Sequence, residues 1–385
     1  MAIYLDNAAT SFPKPDCVYS SMMDYGKNIG VSSNRGVYTD ALTANRLVFE
    51  LRKEIMSFFH FNKVENVILN SGLTLSLNTL IKGVIKEDWE VFTSSFEHNS
   101  VLRPLLHLQQ TKHFTLKYIP SDTFGYLDVD AFKNSLTDKS KLVILTLASN
   151  VTGLIQPLAE ISKICKANKI YLIIDAAQAA GHFKIDYSHI EFNALAFPGH
   201  KALLGPQGIG GFLIDDELNA QTDCLIQGGT GSLSESLLQP EFLPDKFEAG
   251  TLNMYGAIGL LNSLKFINNI GISYIEEYET FLFKQLLNGL LNIKEILVIG
   301  YNSAYHYSPV ISIISNTMSS SQLSYYLDKN FSIATRQGLH CAPLAHKKLN
   351  TINTGTVRFS PGLFTKEEDI IYTIEAINKI QKGLL

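Results

Sequence analysis

The chain carries IYLIIDAAQAAGH at residues 170–182 and ALAFPGHKALLGPQGIGGFLI at residues 194–214. Each segment opens on a short apolar run, IYLIID or ALAF, bounded by small and polar residues, which reads as a buried strand. Each run also leads to a residue with chemistry: Asp175 closes the first, and Lys201 follows the second by four positions. Outward from this pair the pattern recurs in NVILN (66–70), VFTSS (91–95), LVILTLAS (142–149) and IGGFLI (209–214). Between these runs, LTANRLVFELRKEIMSFF (42–59) and LAEISKICKAN (158–168) have helical spacing. The alternation predicts an α/β fold built on a large, mixed and mostly parallel sheet. In such sheets ligands sit beyond the carboxyl ends of the strands, so the residues after each run are the functional candidates.

A length of 385 residues predicts two or three units at ~150 residues each. Past the Gly-rich stretch 228–232 and FEAGTLN (247–253) the texture changes. Helical patterns at 254–268 and 274–292, strands near 307–315 and 355–360 and a last helix at 366–382 read as a smaller α+β domain. The expected division is an arm at 1–14 packing with the small domain, a large α/β domain at 15–253 and the small domain at 254–385. A net charge of −4 argues against a binder of nucleic acid that relies on counterion release. No basic segment leads into a long apolar one, and no run of about 18 apolar residues occurs, so the expectation is a cytoplasmic protein without a membrane segment. Cys17, Cys165, Cys224 and Cys341 form no CxxC pair and suggest neither a metal site nor disulfides.

Taken alone, Asp175 reads equally as a helix cap and Lys201 as a surface lysine. Together they change the reading. A lysine that forms a Schiff base with pyridoxal 5'-phosphate needs a carboxylate partner for the pyridinium nitrogen, which keeps the ring an electron sink. Burial at the mouth of a sheet also favours the neutral, nucleophilic amine. Ser71-Gly72-Leu73-Thr74 after NVILN supplies a glycine turn and a helix start, an anion site for a phosphate. VFTSS leads to His98, and LVILTLAS ends at Asn150. The strand ends therefore offer a phosphate turn, an imidazole, an amide, a carboxylate and a lysine. No GxGxxG follows the first strand, so this inventory fits a phosphorylated aromatic aldehyde better than a dinucleotide.

At YLDNAAT (4–10), SGLT (71–74), EHNS (97–100), SNVTG (149–153), DAAQAAGH (175–182), GHKALLGPQGIG (199–210), FEAGT (247–251), RQGLHCAPLAH (336–346) and TVRFSPG (356–362), the chain resembles the class V, fold-type I pyridoxal-phosphate enzymes. Within them it is similar to the second group of the cysteine desulfurase and selenocysteine lyase family. The resemblance implies that Lys201 carries the cofactor, Asp175 pairs with its ring nitrogen and His98 stacks on the ring and moves protons. It implies that Asn150 and Gln178 contact the phenolic oxygen. Gly72, Leu73, Thr74 and His200 would hold the phosphate, with Thr251 reaching it from the neighbouring subunit of a homodimer. Arg358, Arg336 and Ala8 would bind the substrate, the Arg358 fork taking its α-carboxylate and Arg336 lying five residues before Cys341 in the matching loop.

Cys341 falls where that group keeps its nucleophile. The competing reading of a small buried thiol is disfavoured by its polar loop and by the adjacent His340. The activity implied is conversion of L-cysteine to alanine with a persulfide on Cys341, passed on to a protein sulfur acceptor. Selenocysteine lysis, transamination or β-elimination on the same cofactor, and a scaffold without catalysis are the rivals. Three departures stand out. Pro198 replaces the usual Ser or Thr before Gly-His-Lys and removes one phosphate donor, which implies weaker cofactor retention. Leu339 stands before the His-Cys pair, and Leu73 with Leu75 follows the phosphate glycine.

Overall fold

A computed structural model of the chain describes residues 2–33 and 36–384, so Met1, Asn34, Arg35 and Leu385, which fall within the three expected segments, lie outside the described residues. A seven-stranded sheet runs in the order Val67–Asn70, Gly210–Ile214, Ala194–Pro198, Tyr171–Asp175, Ser140–Thr146, Glu90–Thr93, Thr115–Tyr118. Gly210–Ile214 is antiparallel to both its neighbours, and every other pairing is parallel. The C-terminal ends of the other six strands therefore lie along one edge. The central strands read as unbroken apolar runs because helices cover both faces; Leu142, Val143, Ile144 and Leu145 are fully buried. Thr115–Tyr118, the edge strand the sequence reading missed, has no fully buried residue and alternates too weakly to signal itself. At Gly211 an added Cβ would meet the Ile68 carbonyl oxygen at 2.0 Å. The antiparallel strand can lie this close to its neighbour only with glycine there.

One face of the sheet packs against Asp16–Asn28, Thr39–Phe58 and Met254–Ile270, through Tyr25, Leu51, Ile55, Leu260 and Leu264. The other face carries Leu73–Val84 and Asn99–Leu108, through Leu77, Ile81, Val101 and Leu105. A separate C-terminal core gathers Leu282, Leu286, Ile311, Val357, Phe359 and Ile377, together with Leu5 of the N-terminal arm. Met254–Ile270, where the sequence suggested a second unit begins, thus packs with the large sheet. By packing, the changeover falls at Gly271, with φ of 91°, between that helix and Ile272–Leu291.

The C-terminal sheet has four antiparallel strands where the sequence suggested two: Arg336–Gly338, Thr356–Phe359, Ile311–Ser315 and Ile296–Ile299. Arg336–Gly338 contains no apolar residue, so only its partner strand defines it. The arm joins this half of the molecule, with Ile3–Tyr4 pairing parallel to Ile333–Ala334 and Asp6 bridging to Ser360. Among the described residues no helix is long and apolar enough to cross a membrane.

Candidate active site

Asp175 and Lys201 line one cavity of about 420 Å³ at the carboxyl edge of the large sheet. Asp175 is 1% exposed and its Oδ1 accepts a 2.8 Å hydrogen bond from the Ala177 N–H. Burial pushes its carboxyl up from the ordinary aspartate range, against the pull of that N–H and of the Lys201 cation. Lys201 stands on the turn after Ala194–Pro198. Burial brings its ammonium down to about 8, with Arg358 and Arg336 acting in the same direction and Asp175 opposing. The two groups face one space, and the amine becomes free as the pH rises through about 8.

The same cavity is lined by Gly72, Leu73, Thr74, His98, Asn150, Gln178, Pro198 and His200. Gly72 has a φ of 136°, and nothing lies within 4 Å of where a Cβ would stand, so it is the backbone, not crowding, that requires glycine there. It starts the helix Leu73–Val84, which has no side-chain cap, leaving its positive end open to an anion in the cavity. His200 contacts the Thr10 hydroxyl through Nδ1 at 3.1 Å, and burial holds its imidazole down at about 4, aided by Lys201 and Lys14. His98 caps Asn99–Leu108. Its Nδ1 accepts from Ser100 N–H at 3.0 Å, which assigns the ring proton of the neutral imidazole to Nε2. Burial, then the charges of Lys201, Arg336, Arg358 and Arg103, hold it neutral, at about 4.

Gln178 donates Nε2 to the Ala8 carbonyl at 3.0 Å, while its Oε1 is buried without a partner. Ala8 itself lies outside the cavity lining and is fixed by its N–H to Ser360 Oγ at 2.9 Å. Asn150, at the cavity wall, also ties to the C-terminal half: Nδ2 donates to the His340 carbonyl at 2.6 Å, and its backbone carbonyl accepts from Arg358 Nη1 at 3.0 Å. Arg358 is 2% exposed, and its Nη2 reaches Asp6 Oδ1 at 2.9 Å. Arg336 lies directly opposite Arg358 in the strand register, and is exposed. Cys341, alone of the four cysteines, is exposed. It follows buried His340 in a turn where both residues have positive φ, 47° and 57°, a strained pair for side chains of this size. The large domain pins that turn, since Asn99 N–H donates to the Cys341 carbonyl at 2.8 Å.

Thr251 does not join this cavity. It lines an adjoining one of about 300 Å³ that shares Ser71, Leu75 and Gly208 with the first. Cys165, by contrast with Cys341, is buried and its thiol is pushed up to about 12. Three features escaped the sequence reading. Asp6 meets Arg358. Glu97, fully buried beside His98, accepts from Ser94 Oγ and Thr146 N–H, and burial pushes its carboxyl up to about 8. Thr10, Ser11 and Lys14 all donate to the His200 carbonyl. Only the EH pair in EHNS offered a local signal, because the other partners are nearly 200 or more residues apart.

Comparison with known proteins accounts for the arrangement. Residues 3–372 match the family described as Aminotransferase class-V. The chain belongs to the class-V aminotransferase family. Relatives in this family include a probable cysteine desulfurase of Borreliella burgdorferi, 30% identical over 99% of this chain and 92% of that protein. Another, from Pyrococcus abyssi, is 32% identical over 99% of this chain and 95% of its own length. Among solved structures, the apo cysteine desulfurase of Thermococcus onnurineus superposes with a TM-score of 0.94 at 31% identity, covering the whole of this chain and 95% of that one. The α/β architecture with a large, mostly parallel sheet is thus that of the fold-type I members, as the sequence reading expected. Class-V aminotransferases are pyridoxal-phosphate enzymes as a family.

Proposed function

We propose that this class-V aminotransferase is a cysteine desulfurase that binds pyridoxal 5'-phosphate in the cavity of Asp175 and Lys201, works on L-cysteine and carries sulfur on Cys341. The observation that supports this most directly is one cavity and its tie to a cysteine turn outside its lining. A buried acid and amine face one cavity, and an exposed cysteine turn is tied to that cavity's Asn150. The relatives named as cysteine desulfurases support the same substrate.

The cavity suits the cofactor in size and chemistry. It offers an amine, a buried carboxylate, an uncapped helix start and a buried Gln178 oxygen that no protein group satisfies. Lys201 would hold the aldehyde carbon, Asp175 the ring nitrogen, His98 one ring face, Asn150 and Gln178 the phenolic oxygen, and Gly72, Leu73, Thr74 and His200 the phosphate. Thr251 would complete the phosphate site from the partner in a homodimer, which fits its place outside its own chain's cavity. When bound, the ring acts as an electron sink. Arg358 takes the substrate α-carboxylate, with Arg336 and Ala8 alongside, which orients Cα before Lys201. Lys201 removes the α-proton, and neutral His98 holds its Nε2–H toward the cavity as a proton carrier. The thiol of Cys341 then accepts sulfur and passes it to an acceptor protein in the cytoplasm. Purified protein given L-cysteine should release alanine; pyruvate and ammonia in its place would indicate β-elimination and overturn the reading.

The lowered Lys201 value sets a pH dependence. Only the free amine captures an aldehyde, and its fraction falls about tenfold per unit of pH below about 8. Capture of added pyridoxal phosphate by the cofactor-free protein should therefore accelerate up to about pH 8 and level off above it, followed by the visible absorbance of the bound cofactor. A rate still climbing tenfold per unit at pH 9 would mean that the buried amine keeps an ordinary lysine value.

A further inference from the structure

Arg358 is a buried cation whose three nitrogens have unequal partners. Nη1 donates to the Asn150 carbonyl at 3.0 Å, Nη2 donates to Asp6 Oδ1 at 2.9 Å, and Nε is buried with no partner. A buried guanidinium is costly unless a negative charge accompanies it, and Asp6 supplies that charge. The carboxylate is held there by its segment, not by Arg358 alone. Tyr4 Oη donates to the Asp6 carbonyl, Asp6 bridges to Ser360, and Ala8 N–H donates to Ser360 Oγ. Arg336 sits opposite Arg358 across the strand pair, and its charge acts on Arg358. Like charges at such paired positions repel.

We propose that Asp6 is an affinity-setting residue: a resident carboxylate that occupies the Arg358 fork and that the α-carboxylate of an amino-acid ligand must displace from Nη2. The inference rests on the reading of Arg358 as the carboxylate-binding arginine and adds what sets the strength of that binding. An incoming carboxylate satisfies the orphan Nε together with Nη2 as a bidentate pair, and Asp6 yields its hydrogen bond. Binding is thus an exchange of one anion for another. A ligand without a carboxylate cannot make the exchange and leaves Asp6 in place. Asp6 thereby lowers affinity for carboxylate ligands in general, and it keeps the buried cation paired between turnovers. Asp6 does not touch the reacting atoms and is a positioning residue in that sense.

Asp6→Asn retains an oxygen acceptor for Nη2 and removes the competing charge. Calorimetric titration of the holoenzyme with propionate, a carboxylate lacking an amine, and with ethylamine, an amine lacking a carboxylate, separates charge competition from mere support. The propionate dissociation constant should fall about fivefold to tenfold in Asp6→Asn while that of ethylamine stays within about twofold. A propionate constant that is unchanged, weaker or unmeasurable in the variant overturns the proposal, because a purely supporting Asp6 predicts weaker binding. Should the variant not fold, the wild-type holoenzyme crystallised with propionate decides: the 2.9 Å contact from Asp6 to Nη2 opens beyond hydrogen-bond distance, and its retention counts against displacement. Alanine formation from cysteine by the wild type is scored separately. Turnover with no Asp6→Asn effect sinks this inference alone, and an Asp6→Asn effect without turnover sinks the desulfurase reading alone.

Discussion

Incubated with L-cysteine, the wild-type protein should gain the mass of one sulfur atom, and Cys341→Ala should gain none. Alanine formation should fall about 10³-fold in the variant, or about 4 kcal/mol of transition-state stabilisation. In the proposed step the Cys341 sulfur bonds to the substrate sulfur and the substrate Cβ–S bond breaks. Cysteine and one protein thiol become alanine and one protein persulfide, with no external oxidant or reductant. The step needs a thiol that a substrate in the cavity can reach, and Cys341 alone of the four cysteines is exposed. Its turn cannot drift far, because the His340 and Cys341 carbonyls are both held by the large domain. The strain of two consecutive left-handed residues is therefore balanced by contacts that fix where the sulfur points. Intact-mass analysis of both proteins is the check. Equal sulfide release from wild type and Cys341→Ala would remove Cys341 from the mechanism.

Lys201→Ala should be the more damaging change, lowering kcat/KM for cysteine about 10⁴-fold, the upper range for loss of a positioned base. The fold should survive. Lys201 lines the cavity, and removing a cation that burial already disfavours releases no packed core. Thermal unfolding of the variant within a few degrees of wild type, together with loss of the visible cofactor band, would separate loss of chemistry from loss of structure. Small primary amines added to the variant should restore part of the rate, because they fit the space that Lys201 vacates in the cavity. Activity within tenfold of wild type would show that another group takes the proton.

Much of the fold was legible because burial imposes a local pattern. The runs at 142–149, 170–175, 194–197 and 209–214 are apolar on successive residues since helices cover both sheet faces, and a reader of sequence sees that directly. Elements failed to signal themselves where their partners define them. Arg336–Gly338 is a strand only because Thr356–Phe359 lies beside it, and Thr115–Tyr118 sits at an edge with one side open. The helix Met254–Ile270 carries apolar residues all round, a pattern that says it is buried and not against what.

From sequence alone came the order of strand ends and the chemistry each delivers: a glycine turn, His98, Asn150, Asp175 and Lys201. The parallel run of the sheet then carries these to one edge, since residues at the same end of parallel neighbours are brought together by backbone pairing. Tertiary structure alone decided which side chains meet across the two cores. Asp6 and Arg358 are 352 residues apart, and Asn150 and His340 are 190 apart. Periodicity reports whether a residue faces inward within its own few turns of chain. It carries no record of the partner met there, because that depends on how whole layers pack.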